Sequence, residues 1–251
     1  MAAVTSLLTL NVSNPPRARA ESLLHWLWPR EEDLWVLTEV GRGEGSNLLL
    51  SVCRAAGFAI RVTDRSELGV MTVARVGTLD EATIDPPSLL PGRVDSVLWQ
   101  EDSHVEPIRV LATYGVASDP VRYASKAQRE RKRQWLTAYE KVVSQWVSRG
   151  ERGIVLGDLN LVDPVHDDVL KYVLTEETAM YHDLSERHGL VDAFRAHHDD
   201  AQMSWMDHSG VGCRYDHAFA TPDLVVEASE LVHEPRVDGL TDHSALTVTL
   251  D

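Results

Sequence analysis

The sequence predicts an α/β fold, and three observations carry that expectation. Short apolar runs of β-forming residues alternate with stretches of helical periodicity. Five places end or interrupt such a run with polar groups: Asn11, Glu39, Tyr114, Asp158 with Asn160, and Asp242 with His243. The chain has 251 residues, 43% hydrophobic and 25% charged, which suits one large α/β domain or two small ones with a sizeable core.

Each element follows in order. Leu7 to Val12 is β-rich and stops at Ser13-Asn14-Pro15-Pro16, a turn whose prolines open a helix. From Ala18 to Trp28 a helix places Leu23, Leu24, Leu27 and Trp28 on one face, and Pro29 stops it. Leu34 to Glu39 is a short buried strand ending in an acid, followed by the loop Gly41-Arg42-Gly43-Glu44-Gly45. Strands are expected at Gly69 to Val76, Val94 to Gln100 and Ile108 to Tyr114, with the Pro-rich stretch Ile84 to Gly92 between the first two. A long helix spans Ser125 to Ser148, and Ile154-Val155-Leu156 leads into Gly157-Asp158-Leu159-Asn160. A helix near Thr178 to Arg187 follows, then strands at Met203 to Trp205, Tyr215 to Ala220 and Ser244 to Leu250. The two halves share a strand–helix–strand order, a hint of two related layers.

Composition narrows the function. No apolar stretch approaches the roughly 18–20 residues of a membrane-spanning helix, and the first residues lack the basic and apolar regions of a secretory signal. Cys53 and Cys213 are the only cysteines, which excludes a disulfide framework and a paired-thiolate metal site and points to the cytoplasm. The net charge of −15, from 24 Lys+Arg against 39 Asp+Glu, argues against coating a nucleic acid by bulk electrostatics. One window runs the other way: Arg122, Lys126, Arg129, Arg131, Lys132 and Arg133 face only Glu130. A solvated helix face is the plain reading of that window, and a polyanion contact is the alternative.

The polar strand ends are where an α/β fold collects chemistry, because the sheet fixes them while loops admit substrate. Glu39 with Asp242 would form a hard-oxygen site of the kind Mg²⁺ takes, completed by water and phosphate. His243 is a poor Mg²⁺ ligand and makes better sense touching the phosphate. Each residue also has a plainer reading: Glu39 as a surface acid, Gly157 to Asn160 as an ordinary turn, Thr241-Asp242 as a turn cap. His197 and His198, flanked by Asp199 and Asp200, read as a solvated loop, and the seven tryptophans mostly as core.

It is the order of the motifs that resembles a known family. Leu10-Asn11-Val12, Leu37-Thr38-Glu39, Gly69-Val70-Met71 ending in Arg75, Thr113-Tyr114, and Gly157-Asp158-Leu159-Asn160 resemble successive motifs of the endonuclease/exonuclease/phosphatase superfamily. Ser204-Trp205, Arg214-Tyr215-Asp216-His217 and Thr241-Asp242-His243 continue the series. The resemblance spans almost the whole chain and implies a four-layered α/β sandwich, two facing mixed sheets flanked by helices, as one domain over residues 1–251. It also implies a Mg²⁺-dependent phosphodiester hydrolase, with Mn²⁺ as the alternative ion. Asn11 would orient the metal end, Glu39 ligate the metal and Asp242 sit beside it or at a second metal position. Tyr114 would hydrogen-bond the scissile phosphate, Asp158 would activate the attacking water, and Asn160 would hold that water or the phosphorane. His243 would donate to a non-bridging oxygen with Asp216 accepting from its other nitrogen.

Gly189 to Arg195, Ser204-Trp205 and Arg214-Tyr215-Asp216 look most like exonuclease III and the abasic-site endonucleases. That branch implies a nuclease acting on nucleic acid, DNA above all, with Arg129, Arg133, Trp205 and Arg214 as substrate contacts. Neither a membrane insertion nor an obligate protein partner is expected. The chain departs from the branch in three places. Ser13-Asn14-Pro15 replaces an acid and glycine, Gly115-Val116-Ala117 replaces a Pro-Asn pair after the tyrosine, and only eight residues separate Trp205 from Arg214. A small-molecule or lipid phosphoesterase and a silent binding module of the same fold are the alternatives.

Overall fold

The computed structural model describes residues 5–101, 106–118, 126–150, 152–166 and 172–251. Two six-stranded mixed sheets face one another. The first runs in the order β13-β14-β1-β2-β4-β3, from β1 (Thr5–Asn11), β2 (Leu34–Val40), β3 (Ala59–Val62), β4 (Gly69–Ala74), β13 (Val226–Val232) and β14 (Ala245–Leu250). The second runs β5-β6-β7-β8-β12-β9, from β5 (Thr78–Glu81), β6 (Val94–Gln100), β7 (Ile108–Tyr114), β8 (Gly153–Asp158), β9 (Val191–Asp192) and β12 (Asp216–Ala220). β10 (Trp205–Met206) and β11 (Gly212–Cys213) form a separate short hairpin.

Each sheet contains one parallel pair, β1 with β2 and β7 with β8, and all its other pairings are antiparallel. The hint of two related layers is thereby met. The parallel pairs carry Asn11, Glu39, Tyr114 and Asp158 at their C-terminal ends, so the two halves deliver their polar strand ends to one place.

Alternation along the strands sorts the core into layers. Leu7, Leu34, Val36, Val110, Ala112, Ile154, Leu156 and Ala218 point between the sheets. Their neighbours Leu8, Trp35 and Leu37 point outward onto α1 (Arg17–Leu27) and α2 (Glu44–Ala55). On the far side Leu111, Val155 and Phe219 pack against α3 (Lys126–Val147) and α4 (Thr175–Glu186). The result is the expected α/β/β/α sandwich. Fully buried Trp35, Trp99, Trp135 and Trp146 fill it, each contributing about 1.5–3 kcal/mol or more through apolar area withdrawn from water.

Several expectations need correction. Trp28 is 50% exposed and lies off the buried face of α1, which Ala20, Leu23 and Leu27 form. The glycine run expected as a loop already enters α2 at Glu44; Gly45 fits there because a Cβ would lie 2.1 Å from the Pro15 carbonyl oxygen. Arg122 lies outside the described residues. Lys132, counted among the solvated basic residues, is completely buried.

Candidate active site

Strand parity places Asn11, Tyr114, Asp158 and Asp216 on the faces that look between the sheets. Glu39 should fall on the opposite face with Leu37. Instead its backbone takes φ 55°, in the left-handed region, where β2 and β4 shift register between Leu37 and Val40. Such a conformation costs a non-glycine residue on the order of 1–3 kcal/mol, and here it swings the carboxylate across. Glu39 Oε1 accepts from Asn11 Nδ2 at 3.1 Å and from the Tyr114 hydroxyl at 2.8 Å. Asn11 Nδ2 also donates to Asp158 Oδ2 at 2.8 Å, joining the two sheets.

Asp158 and Asp216 are register partners on adjacent strands. Asp158 Oδ1 accepts from the Asn160 backbone N–H at 3.1 Å. The Asn160 side chain donates to the Gly115 carbonyl, next to Tyr114, at 3.4 Å. Asp216 is seated by Ser204, whose hydroxyl accepts from the backbone N–H groups of Tyr215 and Asp216, both at 3.0 Å. Asp216 Oδ2 in turn takes His243 Nδ1 at 2.7 Å, leaving Nε2 facing Asp158 Oδ2 at 4.0 Å. The structure therefore brings Asn11, Glu39, Tyr114, Asp158, Asp216 and His243 into one cluster.

The electrostatics follow from this packing. Burial by itself would depress His243, but the Asp216 carboxylate, then Asp158 and Asp242, raise its pKa to about 10, so the ring is protonated near neutrality. Burial pushes Asp158 up to about 7; Asp216 and Glu39 push the same way, while His243 and Asn11 oppose. Tyr114 is held well above its ordinary value by burial and the Glu39 charge, and stays a neutral donor. Asp242 stands at the rim, where burial is outweighed by His243 and by hydrogen bonds that include Trp205 and Ser13; Trp205 Nε1 donates to its Oδ2 at 3.1 Å.

No protein-family model matches the chain, and neither does any curated protein. Solved structures do. The 3′-5′ exonuclease NExo of Neisseria meningitidis superposes on 98% of this chain and 100% of its own, with a TM-score of 0.81 at 20% identity. The 3′ phosphatase NExo from Neisseria bound to product DNA hairpin gives 0.80 at 19%, over 98% and 99% of the chains. An AP endonuclease from Archaeoglobus fulgidus gives 0.74 at 19%, over 98% and 99%. An endonuclease/exonuclease/phosphatase from Beutenbergia cavernae gives 0.70 at 17%, over 98% of this chain and 71% of that one. This chain has the endonuclease/exonuclease/phosphatase fold. At these identities it is the architecture that is shared, and the chemistry has to be argued from the residues themselves.

In this endonuclease/exonuclease/phosphatase fold, the carboxylates of Asp216, Asp158 and Asp242 act on the His243 cation, and Glu39 adds a further carboxylate beside Asp158. Asp216 Oδ1 is buried with no hydrogen-bond partner. Ligand atoms of Asp158, Asp216 and His243 lie within 4.8 Å of one another. His243 makes a poor ligand for a hard cation, which prefers oxygen donors. An excess of buried carboxylate oxygen is what a hard divalent cation requires, so the residues fit such an ion, with Glu39 able to hold it.

The expected substrate contacts divide. Trp205 belongs to the site: it pairs with His243 as an isolated β-bridge and packs on Tyr215, with ring centroids 5.6 Å apart. Arg214 does not. It is fully buried and bonds Asp163 and Asp192, with Nη2 2.6 Å from Asp192 Oδ2, so it holds the protein together behind the site. Arg133 is engaged by Glu176 at 2.8 Å, and Arg131 pairs with Glu67. Arg129 is exposed at the start of α3, and among the described residues no hydrogen bond or ion pair joins it to the cluster. One neighbour escaped the sequence reading altogether. The Arg93 guanidinium lies 4.1 Å from the Tyr114 ring centroid and donates to the Gly115 carbonyl at 2.8 Å. No motif marks it, since only the fold brings it there.

Proposed function

We propose that the chain is a divalent-cation-dependent phosphodiester hydrolase acting on nucleic-acid phosphate, with residues 1–251 working as one domain. The observation that carries this is the cluster itself: a buried carboxylate with raised pKa, a protonated histidine fixed by a second carboxylate, and a third carboxylate on a strained strand end. The solved structures of the same fold support it, being described as an exonuclease, a 3′ phosphatase with DNA and an AP endonuclease.

The reaction is in-line displacement at phosphorus. Asp158 takes a proton from water as its oxygen bonds to phosphorus and the bond to the leaving oxygen breaks. Its Oδ1 is fixed by the Asn160 N–H and its Oδ2 by Asn11, which sets the direction of proton removal. His243 donates from Nε2 to a non-bridging oxygen, where negative charge grows, and Asp216 keeps it oriented and charged. Tyr114 is a neutral donor that exchanges its Glu39 acceptor for a phosphate oxygen. A divalent cation at Glu39, with Mg²⁺ the best match to these oxygen donors, supplies charge neutralisation at the phosphate.

A second reading, hydrolysis of a small phosphoester, is favoured by one observation: Arg131, Lys132 and Arg133 are all engaged by Glu67, Glu177 and Glu176. Competition between an abasic-site duplex, a 3′-phosphate end, single-stranded DNA and bis-p-nitrophenyl phosphate tests the choice. A nucleic-acid enzyme turns over a DNA substrate far faster than the small ester. Turnover of the ester alone would move the function to small phosphoesters.

A further inference from the structure

The segment leaving β8, Asp158 to Asp163, is buried at every residue although it belongs to no helix or strand beyond Asp158. A buried irregular segment must find partners for its backbone polar groups from elsewhere, because water does not reach them. Those partners come from distant parts of the chain. Gly115 N–H donates to the Asp158 carbonyl at 2.7 Å, and Leu159 N–H donates to the Tyr215 carbonyl at 3.0 Å. His217, held neutral by a pKa lowered to about 4 through burial and the Arg214 charge, bonds the Leu161 carbonyl through Nε2 at 2.7 Å.

Two further groups are met by an ion pair. Lys132 of α3 and Glu177 of α4 are completely buried, with Nζ 2.7 Å from Oε2. Lys132 Nζ donates to the Asn160 carbonyl at 2.6 Å. Glu177 Oε1 accepts from the Val162 N–H at 2.9 Å, and Oε2 accepts from the Ser118 hydroxyl at 3.0 Å. The pair thus grips the segment on both sides of Leu161 and also holds the strand exit that follows Tyr114. Asn160 between these grips sits at φ 51°, a left-handed conformation that a non-glycine residue keeps only when its surroundings enforce it. A buried ion pair is seldom the most stable solution for a core position, since well-packed apolar residues of similar volume often do as well or better. Stability alone is therefore a weak reason for these two charges.

We propose that Lys132 and Glu177 are positioning residues for Asp158 and Asn160. By gripping the Asn160 carbonyl and the Val162 N–H, they enforce the backbone turn that aims the Asn160 N–H at Asp158 Oδ1. Neither touches the reacting atoms. The proposal rests on Asp158 being the base that activates water.

The test compares wild type with K132M/E177M, which removes both charges at similar volume, and with E177Q, which keeps the acceptor for Val162 N–H. Four quantities are read: kcat and KM on a cleavable DNA substrate, the melting temperature, and amide hydrogen exchange at Asn160. K132M/E177M is expected to melt several degrees lower, because the Asn160 carbonyl and Val162 N–H lose their partners, to keep KM within about twofold, and to lose roughly 10–100-fold in kcat at a temperature where it is fully folded, the scale of a misplaced catalytic group. Its Asn160 amide exchanges faster, and E177Q recovers most of the lost rate. Wild-type kcat in the double variant would overturn the proposal, as would unchanged Asn160 exchange. If wild type itself cleaves nothing, the hydrolase reading fails separately and Asn160 exchange alone decides the grip. Should the double variant not fold, E177Q and K132M are read by the same kcat-against-KM split and exchange rate.

Discussion

Asp158 shows what the site costs its fold. Its carboxylate is completely buried beside Glu39 and Asp216, and its pKa is raised to about 7 from the usual carboxylate range. A group more easily protonated when folded stabilises the fold at low pH and loses that contribution as pH rises through its folded value. Asp158→Asn therefore removes a destabilising charge at pH 8 without divalent cation. The variant should melt a few degrees higher, by roughly 2–4 °C per kcal/mol relieved in a chain of this size, while turnover is abolished; calorimetry and a cleavage assay read both. A lower melting temperature would contradict this electrostatic account. His243 works in the opposite sense. Its pKa is raised to about 10, so the pairing with Asp216 stabilises fully below about 6.5, the ordinary histidine value, and is lost as pH climbs through 10. Asp216→Asn should bring the alkaline limb of kcat/KM down toward neutrality, and His243→Ala should lower the rate on the order of 10²–10³-fold, as when a transition-state donor is removed. A pH–rate profile unchanged by Asp216→Asn would separate the two residues.

At the scale of single elements, the exits of β7 and β8 lie against one another. A Cβ at Gly115 would lie 1.9 Å from the Leu159 carbonyl oxygen, so backbone must move to admit it. Gly115→Ala should consequently lower the melting temperature by several degrees and kcat by at least tenfold, in a combined thermal and kinetic measurement. The same elements show what could be read without coordinates. The central strands β1, β2, β7 and β8 were legible because both their faces are buried and a polar residue stands at or next to each C-terminal end. β3, β5, β9 and β13, which the sequence reading passed over, are the edge strands of their sheets, and β5 is mostly exposed along its length. Half-buried edges carry little periodicity. Glu39 was named as a site residue, but its crossing to the inner face depends on a left-handed backbone that strand alternation does not encode. Arg214 misled because its type suited phosphate, whereas its buried acidic partners, Asp163 and Asp192, lie 51 and 22 residues away.

Across the whole molecule, the charge balance sets how it meets a polyanion. The net charge is −15, and of the basic residues in the first two turns of α3 only Lys126 and Arg129 are exposed and outside the ion pairs seen among the described residues. Cleavage of DNA should then depend weakly on salt, with a slope of log(kcat/KM) against log[salt] of about −2, set by roughly two released counterions. A slope steeper than about −5 would mean that the α3 face opens its ion pairs to grip a duplex. The architecture itself, matched over 98% of the chain by enzymes of this fold, says nothing on that point. What decides the central claim is turnover of a DNA oligonucleotide bearing an abasic site or a 3′-phosphate, followed for wild type and Asp158→Asn with Mg²⁺ and after chelation. The cluster predicts cleavage by wild type with Mg²⁺, none after chelation, and none by Asp158→Asn under either condition. Equal rates for the two proteins would contradict it.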